Sequence, residues 1–433
     1  MSAKVASACQ GLPNRCRASG LRRARIRRHS SHRKIIVSLA VSKRVQRVKP
    51  SPTVALTGRV AQLKAEGKDI IGLGAGEPDF DTPLHIADAG VDAIRRGFTR
   101  YTAVEGAADL KDAIIAKFKR ENDLDYKRTQ IVVSTGAKQT IFNLILALID
   151  SGDEVVIPAP YWVSYPDMVL LADGVPVTVF AGPEQGYKIT PSQLEAAITP
   201  RTRLFILNSP SNPTGAAYTR SELRALGEVL QRHPQVVICT DDIYEHIYWG
   251  IEPFGTIAQV CPALYDRTVT VNGVSKAYAM TGWRIGYCGA PPELAIAMST
   301  IQGQSTSNAS TIAQKAATVA LNGDQAEVRE MNKHFRQRHD FLVDALNRLP
   351  GISCLAAPGT FYAFAQVEAA MKIVGAKDDS AFAEFLLNHG VAVVPGSGFG
   401  APGHMRLSFA CSMQTLEEAV RRIDKALKAA QAA

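Results

Sequence analysis

Acidic residues are missing from the first 65 positions of this 433-residue chain; the first is Glu66. Sixteen of the 49 lysines and arginines lie in that stretch, so the remainder carries 33 basic against 40 acidic side chains. The formal net charge of +9 therefore belongs to an N-terminal extension. The charge of a mildly acidic body gives no hint of nucleic-acid binding, and no nucleic acid is expected as a partner. Long apolar runs are lacking too. The best candidate, Thr140 to Ile149, is ten residues long, about half of what a membrane helix needs, and reads as a buried core helix. The seven cysteines include no CxxC pair. Cys239 and Cys288 sit in apolar, strand-like runs, the pattern of free thiols in a reducing compartment rather than of a disulfide framework or a metal site.

Residues 1–40 are read as a basic extension. Arg15 to Lys34 is rich in arginine, contains serine and has no acid; the reading is a disordered extension, with a transit peptide, which has that composition, as the alternative. The apolar run Ile35 to Val41 is short and interrupted by Ser38, which counts against a secretory signal. A DNA-binding arm is a further alternative, but forty residues without helical periodicity cannot build a winged helix. The expected location is the cytoplasm, or an organelle if the extension is a targeting peptide.

A chain of this length suggests two domains. Hydrophobic residues make up 46% and charged residues 21%, an ordinary globular balance. Short β-branched runs alternate with amphipathic stretches: strands are predicted at Ile131–Ser134, Glu154–Pro158, Val177–Phe180, Arg203–Leu207, Gln235–Thr240, Thr268–Val271 and Ile285–Gly289. Helices are predicted at Lys138–Ile149, Tyr165–Leu171, Arg220–Gln231 and Leu294–Gln302. This alternation predicts an α/β fold with a mostly parallel sheet covered on both faces by helices. A charged helix, Gln325–Leu349, leads out of it and is stopped by Pro350. Strands near Phe361–Ala365, Val391–Val394 and Met405–Phe409 and a closing helix, Thr415–Ala430, predict a smaller α+β domain. The expected division is an arm and part of the small domain at 41–82, a large domain at 83–324 and the small domain at 325–433.

The most informative stretch is Val271 to Tyr287, VNGVSKAYAMTGWRIGY. A strand ends in Asn272-Gly273, Lys276 follows among small residues, and Arg284 stands eight positions on between Gly282 and Gly286. A lysine that is to react as a neutral amine needs burial or cationic neighbours. An arginine nearby could clamp a phosphate through two parallel hydrogen bonds. For a lysine taken alone, a solvated loop position is the ordinary reading.

The run Gly273-Val274-Ser275-Lys276, with Ala279-Met280, Gly282 and Arg284-Ile285-Gly286, resembles the cofactor-attachment motif of class-I aminotransferases, members of the fold-type-I pyridoxal-phosphate family. The resemblance extends from about Val41 to the C-terminus and is greatest to the bacterial-type aspartate/prephenate aminotransferases. It implies that Lys276 holds pyridoxal 5'-phosphate as a Schiff base, that 83–324 is the cofactor-binding domain and that no metal takes part. Gly273 stands where family members commonly carry a serine, and Ser275 is the nearest other hydroxyl.

Further motifs far from Lys276 agree with that reading. In Ser134-Thr135-Gly136-Ala137-Lys138 a strand meets a helix, whose N-terminal N–H groups suit a phosphate; the resemblance implies that Gly136 and Ala137 cradle the cofactor phosphate, with Arg284. Trp162, after Pro158-Ala159-Pro160, reads alone as core, and by resemblance lies on the cofactor ring. Asn212, in Asn208-Ser209-Pro210-Ser211-Asn212-Pro213-Thr214-Gly215, reads alone as a turn residue and by resemblance bonds the ring oxygen. Asp241 and Asp242 end a strand, where acids of a parallel sheet face the ligand crevice. Alternation cannot choose between them; the family's Asp-x-x-Tyr spacing gives Asp241 to the ring nitrogen and Tyr244 to the ring oxygen. Arg406, on an otherwise apolar strand, is by resemblance the fork for the substrate α-carboxylate, with Gly76 lining the same pocket. Tyr101 matches a tyrosine that family members contribute to the phosphate across a dimer interface, implying a homodimer.

The function implied is transfer of an amino group between aspartate or glutamate and 2-oxo acids such as 2-oxoglutarate, with prephenate as a further acceptor. In the subgroup, the lysine after the phosphate-cradle pair receives the second carboxylate; Lys138 holds that place, though a solvated first-turn lysine is an equal reading. Thr57 matches a position that contacts dicarboxylic substrates. The alternatives are an aromatic or broad-specificity aminotransferase, another pyridoxal-phosphate reaction on the same scaffold, and a non-catalytic regulator that senses the cofactor. The last needs a DNA-binding domain ahead of residue 50, which the extension cannot build.

Overall fold

The computed structural model of the protein describes residues 40–432, so the expectation for the basic extension lies outside the described residues, save Ala40. In chain order the strands are β1 (Ile71–Gly72), β2 (Ile131–Ser134), β3 (Glu154–Ala159), β4 (Val175–Phe180), β5 (Thr202–Asn208), β6 (Val237–Asp241), β7 (Thr268–Gly273) and β8 (Gly286–Gly289), followed by β9 (Ser353–Cys354), β10 (Tyr362–Gln366), β11 (Val391–Ala392), β12 (Val394–Pro395) and β13 (His404–Ser408). Strands β2 to β8 form one seven-stranded sheet in the order β2-β8-β7-β6-β5-β3-β4. All of its pairings are parallel except those of β8, which runs antiparallel to both β2 and β7.

Side-chain alternation along these strands explains why both faces are covered. Val155, Ile157, Leu204, Ile206 and Cys239 pack with Ile141, Leu144 and Ile145 of the helix Ala137–Leu148. Their neighbours in sequence, Val156, Phe205, Leu207 and Ile238, point the other way and meet Leu223, Leu226 and Leu230 of the helix Arg220–Gln231. A period of two on the strands thus meets a period of 3.6 on the helices. The second helix begins where sequence says it should: the Thr219 hydroxyl accepts from Glu222 N–H, and the Glu222 carboxylate accepts from Thr219 N–H.

The smaller sheet, in the order β12-β13-β10-β9, is antiparallel throughout. The predicted single strand at Val391–Val394 is two. Val391 and Ala392 pair in parallel with Ile71 and Gly72, whereas Val394 and Pro395 pair with Arg406 and Met405. The chain changes partner between them, so β1, from the N-terminal arm, is tied to this part of the molecule. The helix Ala326–Asn347 ends ahead of Pro350, as expected. The helices Leu84–Arg95, Ala108–Asn122 and Thr311–Asn322 have no counterpart in the strand–helix reading of the sequence.

One polar cluster is buried beneath the sheet's working edge. The Lys117 ammonium, wholly out of contact with solvent, pairs with the Glu245 carboxylate and donates to Asn122 Oδ1 at 2.7 Å. Glu245 also accepts from Asn122 at 2.9 Å and from Asn272 at 2.8 Å. Glu121, Glu245 and His246 are close enough together to hold a metal ion, but the Lys117 ammonium already supplies the positive charge there. Asn272 Oδ1 in turn accepts from Gly273 N–H at 2.7 Å. The cluster therefore ties the end of β7 to the turn that follows β6. Leaving Glu245 buried without its cation costs about 3–5 kcal/mol, so Lys117→Met is expected to lose that much stability in urea titration. A loss below about 1 kcal/mol would mean that the pair is not coupled to folding.

Candidate active site

A cavity of about 320 Å3 opens where the C-terminal ends of the parallel strands approach the antiparallel sheet, the place where α/β sheets bind ligands. Three of the parallel strands deliver groups to it. Asn208 ends β5 and begins the turn to Asn212, Asp241 ends β6, and β7 runs on into Ser275 and Lys276. Arg406 comes from the middle of β13 and Tyr362 from β10, on the other wall.

Lys276 is half-buried, with its amine facing the cavity, where Nζ donates to the Gly76 carbonyl at 2.5 Å. Its pKa is lowered to about 8, first by burial and then by the positive charges of Arg284 and Arg406; Glu77 and Asp241 oppose the shift. An amine of this kind is half deprotonated near pH 8 and so available as a nucleophile or proton carrier at pH values where a solvated lysine is almost wholly protonated.

Beside it lies an end suited to an anion. Gly136 caps the helix Ala137–Leu148 at φ 84°, and a Cβ placed there would fall 2.3 Å from Arg284 Nη2. Arg284 is itself held at φ 58°, with Nη1 donating to Thr281 O at 2.9 Å. A helix N-terminus facing a guanidinium is a site for a phosphate-like group. The missing serine at Gly273 has a steric reason: a Cβ there would come within 2.9 Å of the Ile285 carbonyl and 3.1 Å of Gly286 Cα, because β7 and β8 are closely packed. Ser275 lines the cavity instead.

Opposite stands Asp241, buried, with Oδ2 accepting from the Tyr165 hydroxyl at 2.5 Å and Oδ1 without a partner. Burial raises its pKa to about 6, against the pull of Tyr165, the Ile243 N–H and Lys276. A cationic N–H donor brought to Oδ1 would restore the charged form. Trp162 meets Tyr165 edge-on at 5.2 Å, and the Lys138 ammonium lies 4.8 Å from the Trp162 ring. Asp242, which the strand alternation could not distinguish from Asp241, is also buried but does not line the cavity; its Oδ1 accepts from Thr240 at 2.6 Å.

Arg406 is buried yet meets no carboxylate among the described residues. Nη1 donates to Asn212 Oδ1 at 2.9 Å, Nη2 to the Gly74 carbonyl at 2.8 Å, and Nε has no acceptor. A buried guanidinium with only neutral partners and an unused donor is prepared for an anionic ligand.

Of the residues singled out in the sequence, Lys276, Asp241, Tyr244, Ala137, Lys138, Trp162, Asn212, Arg284, Gly76 and Arg406 line this one cavity, and Gly136 abuts it through Arg284. Two do not. Thr57 is exposed, its hydroxyl donating to the Thr53 carbonyl one helical turn back at 2.9 Å, and Thr53 is the residue that lines the cavity. Tyr101 is 89% exposed and lies outside its own chain's cavity. Sequence reasoning missed Tyr165, Asn208, Ile243 and Tyr362. Tyr165, three residues after Trp162 on a helical stretch, reads as core, and Tyr362 reads as an ordinary strand aromatic.

The amine's lowered pKa has a direct test. Competitive labelling of the unliganded protein with an amine-reactive anhydride, followed by peptide mass spectrometry, is expected to give Lys276 a midpoint near pH 8, against ~10.4 for a free lysine. A midpoint close to the free value would show that burial and the two arginines do not act on it.

Residues 68–423 match the family model for aminotransferase class I and II. The chain is 59% identical to the aspartate/prephenate aminotransferase of Nitrosomonas europaea over 392 residues, covering 89% of this chain and 99% of that one. Among solved structures it is similar to the aspartate aminotransferase of Rhizobium meliloti, with a TM-score of 0.87 at 48% identity over 90% of this chain and 99% of the other. It is also similar to the aspartate aminotransferase of Thermus thermophilus with maleate, with a TM-score of 0.85 at 41% identity over 90% and 100%. A lysine amine, a buried carboxylate and an anion cradle on this scaffold have a common explanation: the chain belongs to the class I and II aminotransferases and is a pyridoxal-phosphate-dependent enzyme.

Proposed function

We propose that this enzyme moves an amino group between aspartate or glutamate and 2-oxo acids such as 2-oxoglutarate, accepts prephenate as well, and works as a homodimer in the cytoplasm. The observation that carries the reading is the convergence of the Lys276 amine, the unpartnered Asp241 oxygen and the Arg406 guanidinium on one cavity. The names of its relatives point the same way. The donor set fits the cofactor. Arg284, Gly136, Ala137 and Ser275 would hold its phosphate, Trp162 would lie on its ring, Asn212 and Tyr244 would face the ring oxygen, and Asp241 the ring nitrogen. When bound, pyridoxal phosphate supplies an aldehyde carbon that carries the amino group and a protonated ring that draws electrons from the substrate α-carbon.

The chain's own residues supply the rest. Lys276, whose lowered pKa of about 8 makes it far easier to deprotonate than a solvated lysine, carries the proton at the α-carbon. Asp241 keeps a ring nitrogen protonated because its burial makes an unpartnered charge costly. Arg406 and Asn212, already bonded to each other, grip the α-carboxylate. Lys138 receives the second carboxylate. Burial and Arg284 lower its pKa, and the maleate named with the Thermus thermophilus relative is a dicarboxylate of similar size to aspartate. Tyr101 of a second copy completes the phosphate end, a reading supported by its exposure and its distance from its own cavity. Thr57, on the same helix as the cavity-lining Thr53, reaches a dicarboxylate if that helix moves inward.

The domain limits at 83 and 325 belong to the same reading, since β1 of the N-terminal segment pairs with β11. The five cysteines among the described residues are free thiols, which supports a reducing compartment. No helix among the described residues is long and apolar enough to cross a membrane.

Purified protein given pyridoxal phosphate is expected to develop visible absorbance and a borohydride-trapped adduct at Lys276, and to pass the amino group of labelled aspartate to 2-oxoglutarate. Absence of the adduct overturns the reading. A charge-assisted hydrogen bond contributes about 1.5–3 kcal/mol, so Lys138→Ala is expected to raise KM for aspartate by roughly ten- to a hundred-fold. KM for phenylalanine is expected to stay within about two-fold, because it has no second carboxylate to lose the contact. An equal rise for both substrates refutes the assignment of Lys138.

A further inference from the structure

Tyr362 belongs to no motif of the sequence, yet it touches both recognition elements of the site. It lies on β10, has no solvent exposure and lines the cavity. Its hydroxyl is 3.0 Å from the Tyr244 hydroxyl. The Arg406 guanidinium carbon stands 4.3 Å from the centre of its ring. The ring is itself wedged against Phe361, centroid to centroid 4.7 Å.

Two hydroxyls in contact have two protons to dispose of, and only one can lie between them. We propose that Tyr362 is a positioning residue with two separable roles: its hydroxyl donates to the Tyr244 oxygen and so turns the Tyr244 proton toward the bound cofactor's ring oxygen, while its ring fixes the plane of the Arg406 guanidinium for the substrate carboxylate. The proposal rests on the assignments of Tyr244 and Arg406 made above.

Each half has a physical cause. A hydroxyl that accepts a hydrogen bond becomes a stronger donor, by about 10–30% per bond. Burial raises the Tyr362 pKa, against the influence of Arg406 and Tyr244, so the phenol keeps its proton and can only donate or accept, not ionise. Arg406 Nε lacks an acceptor and its other contacts are at the two Nη atoms. The Tyr362 ring on one side and Phe399 at 5.0 Å are what bear on the guanidinium carbon. A guanidinium stacked on a desolvated ring is held more firmly than one in an open pocket.

The test compares wild-type enzyme with Tyr362→Phe, Tyr362→Leu and Tyr362→Met, all loaded with pyridoxal phosphate. A donor at the ring oxygen favours the unprotonated form of the lysine-bound cofactor, so weakening it raises the pH midpoint of the visible absorbance. Tyr362→Phe is expected to move that midpoint up by about 0.3 unit, to lower kcat about three-fold and to leave KM for aspartate within about two-fold. The groups bearing on Lys276 (Arg284, Arg406, Glu77 and Asp241) are unchanged in this variant. Tyr362→Leu is expected to raise KM for aspartate about ten-fold, more than it lowers kcat, because the platform under Arg406 is gone. Tyr362→Met, unbranched and without a π face, takes its place should the leucine variant fail to fold. Cofactor titration of the apoenzyme is expected to weaken no more than about three-fold in the phenylalanine variant. A midpoint within 0.1 unit of wild type overturns the hydroxyl's role, and an unchanged KM in both platform-free variants overturns the ring's. If wild-type protein shows no visible absorbance, the preceding reading fails; if it does and Tyr362→Phe matches it, only this inference fails.

Discussion

Making one amine easy to deprotonate inside a crevice already crowded with positive charge is the constraint on which the rest of the site depends. Lys276 shares its cavity with the guanidinium groups of Arg284 and Arg406 and with the ammonium of Lys138. In water those charges would be screened; in a desolvated crevice they make a further positive charge costly. The same crowding that lowers the lysine pKa prepares the crevice for a phosphate and a carboxylate. Asp241 is the counterpart on the other wall, a carboxylate whose burial is tolerable only with a cationic donor nearby.

Such a concentration of charge needs a rigid frame, and the frame is made of strand ends. Asn208, Asp241 and Gly273 end three adjacent parallel strands, so their separations follow from the spacing between strands. The Lys117–Glu245–Asn272 cluster ties two of those ends together from behind. Its charges are satisfied internally and none faces the cavity, so the cavity's charge balance is left to Lys276, Lys138, Asp241, Glu77 and the arginines. Glycine is needed at Gly136 for its φ of 84° and at Gly273 because the backbone of β8 comes too close for a side chain.

Strand–helix alternation made the large sheet legible because each strand contributes to two apolar layers and each covering helix to one. The sheet's single reversed strand, β8, was not legible, since a buried strand carries no mark of its direction. The partner change between Ala392 and Val394 escaped notice for a similar reason: an apolar run looks the same whether it pairs with one strand or two. Tyr165, Asn208 and Tyr362 were missed because their chemistry lies in what they touch, and a tyrosine in an apolar stretch reads as packing.

What the sequence by itself determined was the kind of residue available for each task and the order in which it is presented: the lysine after a strand end, the glycine before a helix, the Asp-x-x-Tyr spacing and the arginine on an apolar strand. These are local features, and local spacing survives without knowledge of the fold. Only the tertiary structure decided which threonine of the helix Pro52–Ala65 reaches the cavity, and that Tyr101 stands apart from its own chain's cavity. Those choices depend on distances between segments far apart in sequence, and such distances are set by packing rather than by residue type.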